Sequence, residues 1–162
     1  MTVPVAGPIP VPVYFDSALI AKFYLNEPGR ELVREVARSA GAVVSSGIAV
    51  VEVSAAFHRK LREGAIELRV LKALQGQFAH DLDTGLWRLA GPTEAVLREA
   101  QAAFSRLDKS IFVRSLDALH LVTARSENFD RIYSNDRHVL AAARSFGLDG
   151  LDPTLRERPV PR

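Results

Sequence analysis

At 162 residues, 48% of them hydrophobic, the chain suits a single domain with enough apolar material to bury a core. Lys and Arg number 21 against 19 Asp and Glu, so the formal net charge is only +2, which excludes a strongly polybasic or polyacidic protein. Cysteine is absent; this removes disulfides, zinc–thiolate centres and cysteine nucleophiles, fits a reducing cytoplasm, and leaves only oxygen and imidazole ligands for any metal.

Residues 1–12 form an apolar lead-in broken by Pro4, Pro8, Pro10 and Pro12 and preceded by no Lys or Arg. It reads as extended chain, neither a signal peptide nor a membrane span. Val13–Phe15 reads as a short first strand that ends at Asp16. An apolar helix over Ala18–Leu25 follows, broken at Glu27-Pro28-Gly29, and then a more amphipathic one over Arg30–Ser39. Gly41 precedes a buried strand, Ala42–Ser45. After Gly47 a helix runs from Ile48 to Arg62, apolar at first and basic at its end, closed by Gly64. Leu68, Leu71, Leu74 and Phe78 recur at helical spacing within Ile66–Leu82, and Gly85–Leu89 reads as a third strand. Pro92 opens a helix over Thr93–Leu107, with Val96, Leu97, Ala100 and Phe104 on its buried stripe.

The next helix carries Leu116, Leu119, Leu121 and Val122, with Ser115 as its expected cap and Asp117 in its first turn. Arg131–Ser134 reads as a buried strand. Ser134, Asn135 and Asp136 offer caps for a helix over His138–Phe146 that Gly147 ends, and Leu148–Leu151 is a marginal fifth strand. Strands alternating with helices predict an α/β fold, an α/β/α sandwich around a mostly parallel sheet of about five strands. The domain is expected over residues 13–152, with a tail, residues 153–162, that has nothing to bury.

Four carboxylates fall where such a sheet binds ligands. Asp16 and Asp136 follow strands and precede helices, Asp117 lies in a first helical turn, and Glu52 lies early in the helix after the second strand. Asp16 and Asp136 are also plausible helix caps, and Asp117 a plausible partner of its helix dipole. Glu52 is harder to assign to structure alone. Its helical neighbours Ile48, Ala49, Ala55 and Ala56 are apolar, so it needs a metal or a charged residue from another element. Carboxylates gathered at one edge repel unless a cation sits among them, and hard oxygen donors suit Mg²⁺ or Mn²⁺. The same repulsion predicts that Asp117→Asn leaves the metal-free protein at least as stable as its parent.

His58, His80, His120 and His138 show no zinc-ligand spacing. His120, three residues beyond Asp117, shares that helix face and could orient a carboxylate or contact substrate; the preferred reading is a histidine satisfying a polar neighbour at the edge of the core. No phosphate-binding glycine loop, G-x-S-x-G motif or base-stacking platform is present. Three basic clusters stand out: Arg59, Lys60 and Arg62; Arg106, Lys109 and Arg114; and Arg156, Arg158 and Arg162. Taken alone they read as solvated faces.

Four blocks, VYFDSALIAKFYLNEPG, SSGIAVVEVSAAFHRK, RSLDALHLVTA and RIYSNDRHVLAAARSFGL, together resemble the PIN-domain ribonucleases, and within them the VapC-type toxins of toxin–antitoxin pairs. The resemblance spans nearly the whole chain. It implies that Asp16, Glu52, Asp117 and Asp136 hold one or two Mg²⁺ or Mn²⁺ ions. It also implies that Ser134 helps position the site, and that RNA is hydrolysed to a 5′-phosphate and a 3′-hydroxyl. A cognate VapB-type antitoxin and a homodimer are the implied partners. Apolar residues beyond one core's need, at Phe23, Tyr24, Leu25 and the Leu68–Phe78 stripe, agree with the dimer.

Arg59, Lys60, Arg62 and Arg114 then become candidate contacts to the RNA backbone. Two positions depart from the family pattern. Ser17-Ala18 stands where a Thr-Ser pair is common, so a supporting hydroxyl falls to Ser17, and Gly47 is expected to loosen the approach to the Glu52 helix. Receiver domains and aspartate phosphatases, which share such sheets, want further acids after the first strand that Asp16-Ser17-Ala18 does not supply. A non-catalytic docking protein on the same fold, or a nuclease of RNA processing outside a toxin–antitoxin pair, are the remaining alternatives.

Overall fold

The computed structural model describes residues 10–155. Most of the proline-rich lead-in and the last basic cluster lie outside them. Strands β1 (Val13–Tyr14), β2 (Val43–Ser46) and β3 (Trp87–Ala90) pair in parallel, with Val13 opposite Val43 and Val43 opposite Trp87. Strands β4 (Arg131–Tyr133) and β5 (Asp149–Leu151) form a second parallel pair. A parallel bridge between Phe15 and Tyr133 joins the two, giving the order β3-β2-β1-β4-β5. The sheet therefore reverses its direction of growth at β1, and the crevice between β1 and β4 is where ligands bind in such sheets.

Side-chain alternation along the strands explains the layers. Phe15, Val43 and Trp87 enter one apolar cluster with Leu19, Ile20, Val33, Val53 and Phe57; their neighbours Tyr14 and Val44 enter another with Leu121, Ile132 and Val139. Helices α1 (Ser17–Tyr24), α2 (Arg30–Ser39), α3 (Ala49–Arg62) and α4 (Leu68–Asp83) supply the first layer. Helices α6 (Ser115–Ser126) and α7 (Arg137–Ala142) supply the second, and α5 (Glu94–Arg106) packs on α6.

Differences from the sequence reading have identifiable causes. The helix expected over His138–Phe146 starts at Arg137 and tightens into a 3-10 turn over Ala143–Phe146. Pro92 precedes α5 without entering it; the cap is Thr93, whose hydroxyl accepts from the Val96 amide at 3.3 Å. The cap position of α6 is Arg114, not Ser115. Gly47 does not loosen anything: a Cβ there would lie 2.2 Å from the Gly91 carbonyl oxygen, so glycine is what lets the chain after β2 touch the chain after β3.

The apolar surplus read as dimer surface is mostly used within the chain. Tyr24, Leu25, Leu71 and Phe78 are buried in the first cluster, and Phe23 and Leu74 pack against it. Tyr24 also carries a buried polar link: its hydroxyl donates to Asp81 at 2.5 Å and accepts from Trp87 Nε1 at 2.6 Å, tying α1, α4 and β3 together. Among the described residues no helix is long and apolar enough to cross a membrane.

Candidate active site

Asp16 leaves β1 and caps α1. Its Oδ1 accepts from the Leu19 amide at 3.0 Å, Oδ2 accepts from the Ser134 hydroxyl, and the residue is only 3% exposed. Burial pushes its carboxyl up to about 6, against the opposing pull of His120, the Ser134 hydroxyl and the Leu19 amide. Ser134, just after β4, also accepts from the Asp136 amide at 2.9 Å, so one hydroxyl connects the two sides of the crevice.

Asp136 caps α7, its Oδ1 accepting from the His138 amide at 2.7 Å. Partial burial alone would raise its carboxyl. The His138 amide and the Arg114 guanidinium outweigh that and hold it below the ordinary carboxylate range. Asp117, nearly buried in the first turn of α6, accepts from Arg114 Nε at 2.7 Å and from the other prong of the guanidinium at 3.3 Å. It also accepts from the Arg114 amide at 3.3 Å, which closes the start of the helix. The same guanidinium reaches Asp136, so a cation of the chain itself bridges two of the four acids. Its charge is held correspondingly firmly, chiefly by the Asp117 hydrogen bond.

Glu52, in the first turn of α3, finds the partner from another element that its apolar helix face required. Its Oε2 lies 2.8 Å from Nε2 of His120 on α6, and His120 Nδ1 lies 3.1 Å from the Tyr14 hydroxyl. From the sequence an orienting role for His120 competes with a structural one, and the structural one is preferred. The available signal was positional: it shares a helix face with Asp117.

All four acids line one cleft of about 780 Å³, together with Ser17, His58, Arg59, Arg62, Arg114 and His120. Two of the basic candidates fall elsewhere than expected. Lys60 lies 2.7 Å from Glu27 and 3.7 Å from Glu63, and is not part of the cleft lining. Arg114 lines the cleft, but its guanidinium is spent on Asp117 and Asp136; the spacing of three residues between Arg114 and Asp117 was the legible hint. A larger cavity of about 1030 Å³ lies between α5 and α6; of its three acids, Glu99, Asp108 and Glu127, the first two are engaged with Arg106 and with Ser110.

The donor set suits a hard divalent cation: oxygen ligands, no sulfur, and carboxylates from four elements on one sheet edge. Among the described residues no three Asp, Glu or His side chains converge on one point. The guanidinium lodged between Asp117 and Asp136 nevertheless shows that this pair accepts a cation, so the residues fit one.

The model of the PIN domain family matches residues 13–145, which contain the whole sheet but for β5 and every acid of the cleft. The chain belongs to the PIN-domain family. Solved PIN-like structures superpose on it. VapC20 of Mycobacterium tuberculosis, a toxin that cleaves the sarcin–ricin loop, matches with a TM-score of 0.62 at 17% identity, over 80% of this chain and 94% of its own. FitAB bound to the DNA fragment IR36 matches with a TM-score of 0.61 at 17% identity, over 91% and 99%. At that identity the likeness concerns the fold. A comparison with curated protein sequences finds no match.

Proposed function

We propose that this PIN-domain protein is a divalent-cation-dependent endoribonuclease, the toxin of a toxin–antitoxin pair, neutralised by a cognate VapB-type antitoxin. The cleft carries the proposal: Asp16, Glu52, Asp117 and Asp136 share it with Arg59 and Arg62. Asp16, Asp117 and Asp136, with Glu52 beside them, would hold Mg²⁺ or Mn²⁺, which when bound acidifies water and offsets charge on the phosphate and the departing oxygen. The chain's own residues do the rest. Arg59 and Arg62 attract the flanking phosphates, and Ser134 keeps Asp16 and the Asp136 loop in register. Water adds to phosphorus, the bond to the 3′ oxygen breaks, and one proton of the water ends on that oxygen, leaving a 5′-phosphate and a 3′-hydroxyl.

The antitoxin reading draws support from Arg114. A site whose two acids already take a guanidinium in a forked contact is suited to an arginine delivered by a partner. A homodimer is part of the same proposal, though its apolar contacts must come from residues such as Val51 and Leu68, which are exposed.

The test is cleavage of a structured RNA that carries the sarcin–ricin loop, which VapC20 cleaves, with Mg²⁺ and with EDTA. Cleavage is expected with Mg²⁺ only, and Asp16→Asn and Glu52→Gln are expected to abolish it. Cleavage that survives EDTA or either substitution refutes the proposal.

A further inference from the structure

We propose that His120 is a positioning residue, which, braced by Tyr14 through hydrogen bonds, fixes the Glu52 carboxylate for cation binding. The inference rests on the nuclease reading for its purpose, and on geometry for its substance. Tyr14 and His120 are almost wholly buried, at 0% and 2% exposure, and they come from β1 and α6, whereas Glu52 comes from α3. Three separate elements thus meet in one line of contacts: the Tyr14 hydroxyl to Nδ1 at 3.1 Å, and Nε2 to Glu52 Oε2 at 2.8 Å.

The line has a direction. An ionised carboxylate only accepts, so Nε2 carries a proton toward Glu52; in the neutral form of the ring Nδ1 is then the acceptor and the Tyr14 hydroxyl its donor. A phenol hydroxyl keeps its proton at neutral pH, so that bond has its donor. The ring is further fixed by edge-on contact with Tyr14, centroids 6.1 Å apart. Glu52 would otherwise choose among the rotamers of a three-torsion side chain. With Oε2 engaged on the core side, its remaining lone pairs are the ones offered to the cleft. A carboxylate oriented this way by its neighbours binds a cation better than a free one, and losing such a brace typically costs about 10- to 100-fold in metal affinity or activity.

The experiment exploits the shapes of the two amides. A Gln side-chain nitrogen stands where Nε2 stands and keeps the donor to Glu52; an Asn amide reaches only as far as Nδ1 and loses it. Mn²⁺ binding by calorimetry and RNA cleavage are measured for the parent, His120→Gln, His120→Asn and Tyr14→Phe, with melting curves as a folding control. His120→Asn is expected to weaken Mn²⁺ binding and lower kcat about 10- to 100-fold without raising KM for RNA. Tyr14→Phe should do so less, and His120→Gln should restore most of the loss.

Equal behaviour of the Asn and Gln variants overturns the proposal, as does a parent that binds no Mn²⁺. A readout that needs neither metal nor RNA is the ring tautomer, from side-chain nitrogen NMR of the metal-free parent. Protonation at Nε2 that responds to Glu52→Gln is expected, and a ring protonated at Nδ1 alone overturns the proposal even if the variants fail to fold. Absence of cleavage by the parent, with Mn²⁺ binding and tautomer as expected, would instead refute the nuclease reading and leave the positioning role standing.

Discussion

Asp117→Asn separates two forces that the sequence could not rank. Repulsion among the acids, taken alone, favours the substitution in metal-free protein, and the sequence reading accordingly expected a variant at least as stable as the parent. The structure supplies a counterweight, because Arg114 grips Asp117 in a two-pronged contact of 2.7 and 3.3 Å, with the Asp side chain 12% and the Arg side chain 54% exposed. A hydrogen-bonded ion pair out of solvent contributes about 1.5–3 kcal/mol and a fully exposed one about 0.2–1 kcal/mol. This half-exposed pair is therefore worth about 1 kcal/mol, and Asn retains one acceptor for the Arg114 amide. In EDTA the variant should melt about 2–4 °C below the parent. At Mg²⁺ one hundred times its dissociation constant the parent gains about 2.7 kcal/mol, or about 5–11 °C, from binding that the variant lacks in large part, so the gap should widen. Thermal melts with EDTA and with Mg²⁺, run beside the RNA-cleavage assay, measure all three quantities. A variant as stable as the parent in EDTA would show that repulsion exceeds the Arg114 contact, and surviving cleavage would remove Asp117 from the site.

Gly47→Ala should cost about 2–4 kcal/mol, since the new Cβ would sit 2.2 Å from the Gly91 oxygen and would strain the 2.9 Å bond from the Gly47 amide to Ala90; a parent-like melting temperature contradicts that contact. Asp16 titrates in the folded, metal-free protein near 6, above its unfolded value, so the stability it contributes is complete below about pH 4 and lost as pH rises through about 6. Between pH 4 and pH 7 in EDTA the parent should lose about 2 kcal/mol relative to Asp16→Asn by denaturant titration, and a pH-independent difference would disprove the burial argument. Arg59→Ala and Arg62→Ala should raise KM for RNA at unchanged kcat and flatten the salt dependence of binding by about 0.7 in log–log slope for each arginine; unchanged slopes would exclude phosphate contacts there.

The sequence by itself determined the order of elements and the chemistry of the edge. Local signals sufficed for that: the apolar runs at Val43-Val44 and Ile132, the stripe of α5, the Asp caps of α1 and α7, and the apolar face around Glu52 that demanded a partner. Helix ends slipped by a residue or two because capping depends on which side chain turns back, as at Arg114 rather than Ser115.

The remainder needed the tertiary structure, because it joins residues far apart in the chain. Placing β1 between β2 and β4 puts Asp16 against Ser134 across 118 positions, and layering α6 behind β1 puts His120 between Tyr14 and Glu52. Gly47 looked permissive in the sequence and is a close backbone contact in the fold. Arg114 looked like a phosphate ligand and is the internal counter-ion of two acids, because a cation is cheapest where carboxylates are already crowded and half out of water.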